Sequence, residues 1–519
     1  MRSRPVVYTA WGILGLFALL LFSQSPNELA PTEDHGIVFG ILETPANATL
    51  DQMSKYAADA NDVFFSFPEA SHTFQLTFAD NGFGGMILDP WSERDRTAFE
   101  VIPEVREKLH AIPGVRMFPI LPPALPGGGD FPVEFVLAST AESEEILGFM
   151  NQLQQKATES GMFAFPPIID VKVDRPNVQI NIDREKVAQL GLNLQQVGND
   201  IAAAVGGNFV NRFNIDGRSY KVIPQLARKN RLNPEQIRDI YVSGPEGQLV
   251  SLSTFATLEE RTEPRSLNRF QQLNAVKLSG VSIQPMDEAL TFLETEARAI
   301  VPKGYVIDYT GESRQLRKEG DKFLPAFGLA VILIFLVLAA QFNSFRDPLV
   351  ILLGSVPLAM FGASIFMFLK MPNPEMPFFT DGWTTTLNVY SQVGLVTLVG
   401  LVAKNAILIV EFANELQRRG YEKVEAAKEA AGTRFRPVLM TTAATVLGHF
   451  PLMLVTGPGA EARNSIGLVL VSGMAIGTLF TLFVVPPLYV LLAGVHKSEP
   501  QEEEKESSDH GDLPEPSLA

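Results

Sequence analysis

Lys404 is the residue whose chemistry stands out. It lies in the run Gly400-Leu401-Val402-Ala403-Lys404-Asn405-Ala406-Ile407, inside an apolar stretch long enough to cross a bilayer. A lysine at membrane depth costs about 2.5–3.5 kcal/mol on insertion scales, so such residues usually face a bundle interior and pair with an acid. The apolar runs of this chain contain no Asp and no Glu. Glu411 comes two helical turns later, about 10 Å along the axis, which is too far for contact. Two readings stay open. Either the ammonium snorkels to the nearer surface, about 9 Å away along the helix, or its counter-charge comes from another chain. Asn405, Thr441 and Thr442 support a polar seam inside a bundle, although a lone Thr in such a helix often bonds only its own backbone. His449 reads as a polar packing residue, with a proton-relay role as the alternative.

The elements that must hold these residues are six apolar runs: 6–23, 324–342, 348–369, 388–410, 438–456 and 465–490. Basic residues mark one side of them. Arg2 and Arg4 precede the first run, Arg346 sits between the second and third, and Arg418, Arg419, Lys423, Lys428, Arg434 and Arg436 lie between the fourth and fifth. The opposite loops, 370–387 and 457–463, carry only Lys370 and Arg463. This pattern predicts that both termini are cytoplasmic and that the long loop after the first run is outside. Met1-Arg2-Ser3-Arg4 before an apolar run also fits a signal peptide, with Ser23-Gln24-Ser25 a weak cleavage site; a retained anchor is the simpler reading.

The outer loop has its own periodicities. Strand signals at 37–42, 73–79, 86–88 and 115–121 alternate with helical spacing at 49–66, N-capped by Thr49, and at 98–112. Asn81-Gly82-Phe83-Gly84-Gly85 reads as the turn between the middle strands. The order is β-α-β-β-α-β, the ferredoxin-like pattern. It recurs at 133–138, 143–160, 168–173, 275–278, 286–301 and 305–309, split by an insertion at 178–264. The insertion has helical stretches at 184–190 and 194–205 and a hairpin at 208–226 turning at Asp216-Gly217. The predicted fold is therefore an α-helical membrane protein of six transmembrane helices with a large α+β loop of two ferredoxin-like units. A single irregular α+β domain is the alternative for the loop.

Composition narrows the function. Of 519 residues 46% are hydrophobic and 19% charged, against about 25% charged in soluble domains; the mean hydropathy is +0.12. The absence of cysteine excludes disulfides, thiolate metal sites and cysteine nucleophiles. A net charge of −16 argues against general nucleic-acid binding. Part of it is an acidic tail, 496–519, that reads as disordered. No glycine loop ending in Lys-Ser/Thr, serine elbow or metal-ligand spacing occurs, so ATP is not the expected energy source and no cofactor is expected.

At this point the chain resembles the carboxy-terminal half of a resistance–nodulation–division (RND) drug-efflux transporter. The resemblance rests on Gly400–Ala413 (GLVAKNAILIVEFA) and on Arg434-Phe435-Arg436-Pro437-Val438-Leu439-Met440-Thr441-Thr442, with weaker support from Ser344-Phe345-Arg346-Asp347-Pro348 and Val356-Pro357-Leu358. It implies proton-driven export of amphipathic compounds. It also implies a proton relay in which Lys404, with Thr441, Arg434 and Asn405, answers an aspartate pair on an amino-terminal half. Two close carboxylates do not easily ionise together, and an ammonium beside them favours their charged forms. Residues 37–128 would form one porter subdomain, 129–177 with 265–320 a second, and 178–264 a docking subdomain. Phe83, Phe78 and Phe118 would line the drug pocket, the glycine-rich turn standing for a shortened switch loop. A periplasmic adaptor, an outer-membrane channel, a trimeric complete pump and the lipid bilayer of the inner membrane are the implied partners. The aspartate pair is absent here. The chain is then expected to be inactive alone: a fragment, a truncated product or one subunit of a split pump. Competing readings are a non-transporting membrane scaffold that binds a periplasmic partner, and an RND-type transporter of lipid cargo.

Overall fold

A computed structural model describes residues 4–25, 27–43, 45–78, 81–207, 209–368 and 386–494. The tail 496–519 and most of the loop 370–387 lie outside them. The first helix, α1 (Arg4–Ser23), is mostly apolar after Arg4 and leads through a short linker into the first α/β unit. There β1 (Ile37–Glu43) buries every second residue, with Val38 and Leu42 facing the core. Thr49 accepts a hydrogen bond from the Gln52 amide and starts α2 (Leu50–Phe65). β2 (Ala70–Thr77), β3 (Asn81–Leu88), α3 (Ala98–His110) and β4 (Arg116–Ile120) complete the unit. The sheet order is β2-β3-β1-β4, every neighbouring pair antiparallel. Helices α2 and α3 cover one face with Met53, Phe64, Val101, Val105 and Leu109.

One expectation is corrected here. Asn81–Gly85 is not a turn; it is the first half of β3, which pairs with β1 from Asn81↔Glu43 to Ile87↔Ile37. Glycine is read as turn punctuation because it relaxes the backbone, but it also admits a close neighbour. A Cβ on Gly85 would come within 2.3 Å of the Val38 carbonyl oxygen. At Gly85 the missing side chain lets β3 and β1 meet, and at Gly84 it lets β2 approach.

The second unit repeats the arrangement. β5 (Val133–Ser139) is buried along its whole length. α4 (Ser143–Glu159) and β6 (Ile168–Ile169) follow. The insertion then leaves and returns through a two-stranded ribbon of β7 (Val173–Ile182) and β12 (Ala256–Pro264). It contains α5 (Arg184–Gln189), α6 (Leu194–Val205), the hairpin β8 (Asn211–Ile215) with β9 (Arg218–Val222), and the pair β10 (Tyr241–Ser243) with β11 (Leu249–Ser251). Val187, Val197, Val242 and Phe255 give it a small core of its own. β13 (Arg269–Phe270), β14 (Leu273–Gly280), α7 (Met286–Ile300) and β15 (Val306–Tyr309) close the unit. β14 pairs with both β5 and β6, and β15 with the other edge of β5.

From β15 the chain passes through α8 (Gly311–Glu319) into α9 (Phe323–Phe342), α10 (Arg346–Phe368), α11 (Val389–Arg418), α12 (Lys423–Met453) and α13 (Ala460–Leu492). Among the described residues, five helices (α1, α9, α10, α11 and α13) are long and apolar enough to cross a membrane. In α12 the apolar stretch is confined to the second half, after Pro437. Helix α13 packs against α10, α11 and α12. Close approach needs small residues; a Cβ on Gly477 would lie 2.9 Å from the Ala359 Cα. The helices outrun the apolar runs: α11 continues to Arg418, and α12 begins at Lys423, so Lys428, Arg434 and Arg436 are helical rather than in a loop. Backbone hydrogen bonding does not stop where hydrophobicity stops.

Candidate functional site

The buried seam of α11 runs through Val402, Ala406, Ile409 and Ala413. Asn405 sits in that seam at 2% exposure. Its amide donates 3.0 Å bonds to the hydroxyl of Thr442 on α12 and to that of Thr478 on α13. The two hydroxyls are themselves 3.5 Å apart. One amide thus ties three helices together, where an unpaired polar group would be expensive. Thr478 escaped the sequence reading: it stands in a long apolar run, and nothing in that run signals that it meets Asn405.

Lys404, one residue away, turns about 100° around the helix and is exposed. Among the described residues no carboxylate pairs with it. It shares its exposed stripe with Thr397, Gly400 and Glu411. On α12 Met440 and Leu447 are 71% and 69% exposed, with Ala443 and Ala444 exposed between them and Gly448 just beyond. Thr441 donates to the Val438 carbonyl of its own helix and does not reach Lys404. Arg434 stacks on Phe412 of α11, its guanidinium carbon 4.6 Å from the ring centre. The structure brings Asn405 and Thr442 together, anchors Arg434 on α11, and leaves Lys404 projecting outward.

A second polar network was also missed. α10 starts at Arg346, so Asp347 lies in its first turn, fully buried. It accepts a 3.0 Å bond from Asn414, and Tyr489 joins Asn414 to Gln417. Asn414 is about 15 Å along α11 from Lys404, so Asp347 is no partner for that ammonium.

The aromatic residues group differently. Strand register places Leu76, Phe83, Ile41 and Phe118 in one row across β2-β3-β1-β4, on the face opposite the helices. Phe83 packs on Phe39 and Phe74, with ring centres 5.0 and 5.7 Å apart. Phe118 packs on Phe165 of the second unit at 4.8 Å. Phe118 and Phe165 form part of the wall of a cleft of about 1040 Å³ between the two units, rimmed by Glu43, Arg116, Lys172 and Arg265. Burial and the nearby Arg265 push the Lys172 ammonium below its ordinary range. Phe83 is two strands from Phe118, and Phe78 stands exposed just past the end of β2; neither lines this cleft. Phe165 lies in the connection after α4, where no strand or helix pattern marked it.

A model of the AcrB/AcrD/AcrF family matches residues 1–493. The chain belongs to the AcrB/AcrD/AcrF family. It is 37% identical over 506 residues to an uncharacterized transporter of Haemophilus influenzae, covering 95% of this chain and 48% of that protein. Over 502 residues it is 31% identical to the multidrug export protein AcrF of Escherichia coli, covering 91% of this chain and 46% of AcrF. Over 519 residues it is 29% identical to the toluene efflux pump membrane transporter TtgB of Pseudomonas putida, covering 97% and 48%. The chain spans about half the length of these relatives. The RND resemblance read from the lysine and arginine motifs is thereby borne out. For an AcrB/AcrD/AcrF chain, the polar knot at Asn405 and the aromatic cleft are the two places where geometry and chemistry converge.

Proposed function

We propose that this chain supplies the lysine-bearing, carboxy-terminal half of an inner-membrane, proton-driven transporter that exports amphipathic compounds. The observation that carries this is Lys404. It stands midway along a 30-residue helix, exposed, beside an Asn405 knot that is already satisfied within the chain. An unpaired ammonium at that depth is costly, and an aspartate pair on an amino-terminal half would offset the cost. Protonating the pair weakens its hold on Lys404. Because Asn405 ties α11 to α12 and α13, the resulting shift biases the bundle as a unit. The proton gradient is the energy source, and no cofactor enters the cycle.

Other parts fit this reading. The six long helices serve as six spans with both termini cytoplasmic, α12 crossing by its apolar second half. The two antiparallel sheets act as ferredoxin-like porter subdomains outside the membrane, and the cleft between them admits cargo onto aromatic faces that do not demand fixed hydrogen bonds. The insertion, with its exposed hairpin β8–β9, docks toward a periplasmic adaptor and an outer-membrane channel, and the complete pump is a trimer. AcrF and TtgB carry export and efflux in their names, which supports the transport class. The test is co-expression with a matching amino-terminal half in efflux-deficient cells, following export of a fluorescent dye with and without a protonophore. Lys404→Ala is expected to reduce proton-dependent export to background at unchanged membrane abundance. Unaltered export in that variant would overturn the role given to Lys404.

A further inference from the structure

The linker between α1 and β1 places two adjacent carboxylates on the beginnings of two different helices. Glu33, 3% exposed, accepts a 2.8 Å bond from the amide of Ala462. That amide is the third of α13, whose N-cap is Gly459, and the first amides of a helix have no partner inside it. Asp34, also 3% exposed, accepts a 2.7 Å bond from the amide of Ala98, the first residue of α3. Its other oxygen accepts from the Gly36 amide at 2.8 Å and from Arg94 at 3.0 Å. The Asp34–Arg94 pair is almost fully buried, with side-chain exposures of 2% and 1%. The Arg94 guanidinium carbon lies 4.6 Å from the Trp91 ring centre, and Trp91 packs against Gly457 in the loop before α13.

The bonds to Glu33 and Asp34 are charge-assisted and shielded from water, which makes them stronger and more directional than surface bonds. Together they fasten the outer end of α13 to the first α/β unit through two consecutive residues. The inner part of α13 carries Thr478, which Asn405 holds. From Thr478 to Ala462 is about 24 Å of helix. One helix therefore reaches from Thr478 to Ala462, and the Glu33–Asp34 pair bridges from there to the start of α3.

We infer that Glu33 and Asp34 form a joint that transmits displacement of α13 to α3 and hence to the sheet bearing Phe118, with Glu33 as a positioning residue for the transport cycle. The transport part of this inference rests on the function proposed above; the joint itself does not. A chain of contacts alone does not show coupling, so the test measures the joint first and transport second.

The absence of cysteine gives a clean background for labelling. Ser92→Cys and Arg463→Cys, both at exposed positions, carry nitroxide labels in the full chain in lipid nanodiscs, and the distance distribution between them is recorded. The parent and Glu33→Gln, which keeps an oxygen acceptor, are expected to give one narrow distribution. Glu33→Ala and Glu33→Asp, which remove or shorten the acceptor, are expected to widen it about twofold or more, as the equilibrium constant for the joined state falls about tenfold. Equal widths in all four proteins would overturn the joint. Glu33→Asp keeps the charge and guards against an Ala variant that fails to fold. In the complete pump, Glu33→Ala and Glu33→Asp are expected to lower dye export about tenfold while Glu33→Gln retains it. A joint that widens with no change in export would overturn the transmission. No export even from the parent, with the joint intact, would count against the proposed function instead.

Discussion

Adjacent residues on α11 meet opposite fates, and a rotation of about 100° per residue decides which. Asn405 is satisfied by two threonines from two helices; Lys404 is left to whatever covers the bundle. Asn405 thus bears on the stability of the bundle, and the drive proposed above falls to Lys404 alone. Asn405→Leu removes both donors and leaves the hydroxyls of Thr442 and Thr478 with only their long 3.5 Å contact to each other in an apolar seam. It is expected to destabilise the bundle by about 1–3 kcal/mol, read as a lower unfolding midpoint in detergent. A midpoint equal to the parent's would mean the knot holds nothing together. Asn405 was legible as polar and seam-facing from its place beside Lys404. Its partners were not, because which turn of α13 faces which turn of α11 follows from packing, not from either helix alone.

At the scale of the element, α8 joins the second α/β unit to α9. Glu312 in its first turn is 8% exposed. Burial, then the neighbouring carboxylates Glu28 and Glu134, push its carboxyl from an ordinary 4.5 up to about 7. The sign follows from proton counting. Between pH of about 4.5 and about 7 the folded chain holds a proton that the unfolded chain has released. Stability is therefore greatest at the acid end of that window, falls as pH rises through it, and stays lower beyond it. Glu312→Gln cannot ionise, so the drop in unfolding midpoint from pH 5 to pH 8 is expected to shrink in that variant. The stability recovered at pH 8 is at most about 3 kcal/mol. An unchanged pH dependence would show that Glu312 is ionised in the fold. Element identity was mostly legible here: Thr49 caps α2, and the hairpin turns at Asp216-Gly217 as its sequence suggests. The glycines of β3 were misread, because a strand that needs close approach and a loop that needs freedom use the same residue.

At the scale of the whole molecule, the two α/β units enclose a cleft whose walls come from both. Asn151 on α4 lines it and is exposed, so a larger side chain there blocks space without disturbing a core. Asn151→Trp is expected to lower export of a bulky dye several-fold in the complete pump, with Asn151→Ala at the parent's level. Equal export by both variants would place the cargo route elsewhere. Phe118 belongs to this wall and Phe83 to a neighbouring aromatic patch on the same sheet face. The family resemblance groups the two, and the sheet separates them by two strand spacings, about 10 Å.

What the amino-acid sequence determined by itself was local and periodic: apolar runs long enough for a bilayer, alternation for half-buried strands, caps and turns, and motifs dense enough to reveal a family. These properties depend on residues within one or two turns of each other, where the backbone geometry is known in advance. The tertiary structure alone decided which hydroxyls meet Asn405, that Glu33 and Asp34 bind the starts of α13 and α3, and which phenylalanines share a cleft. Each of those pairs lies far apart along the chain. Their meeting depends on helix rotation, strand register and close packing of the whole, where a shift of one residue exchanges a buried face for an exposed one.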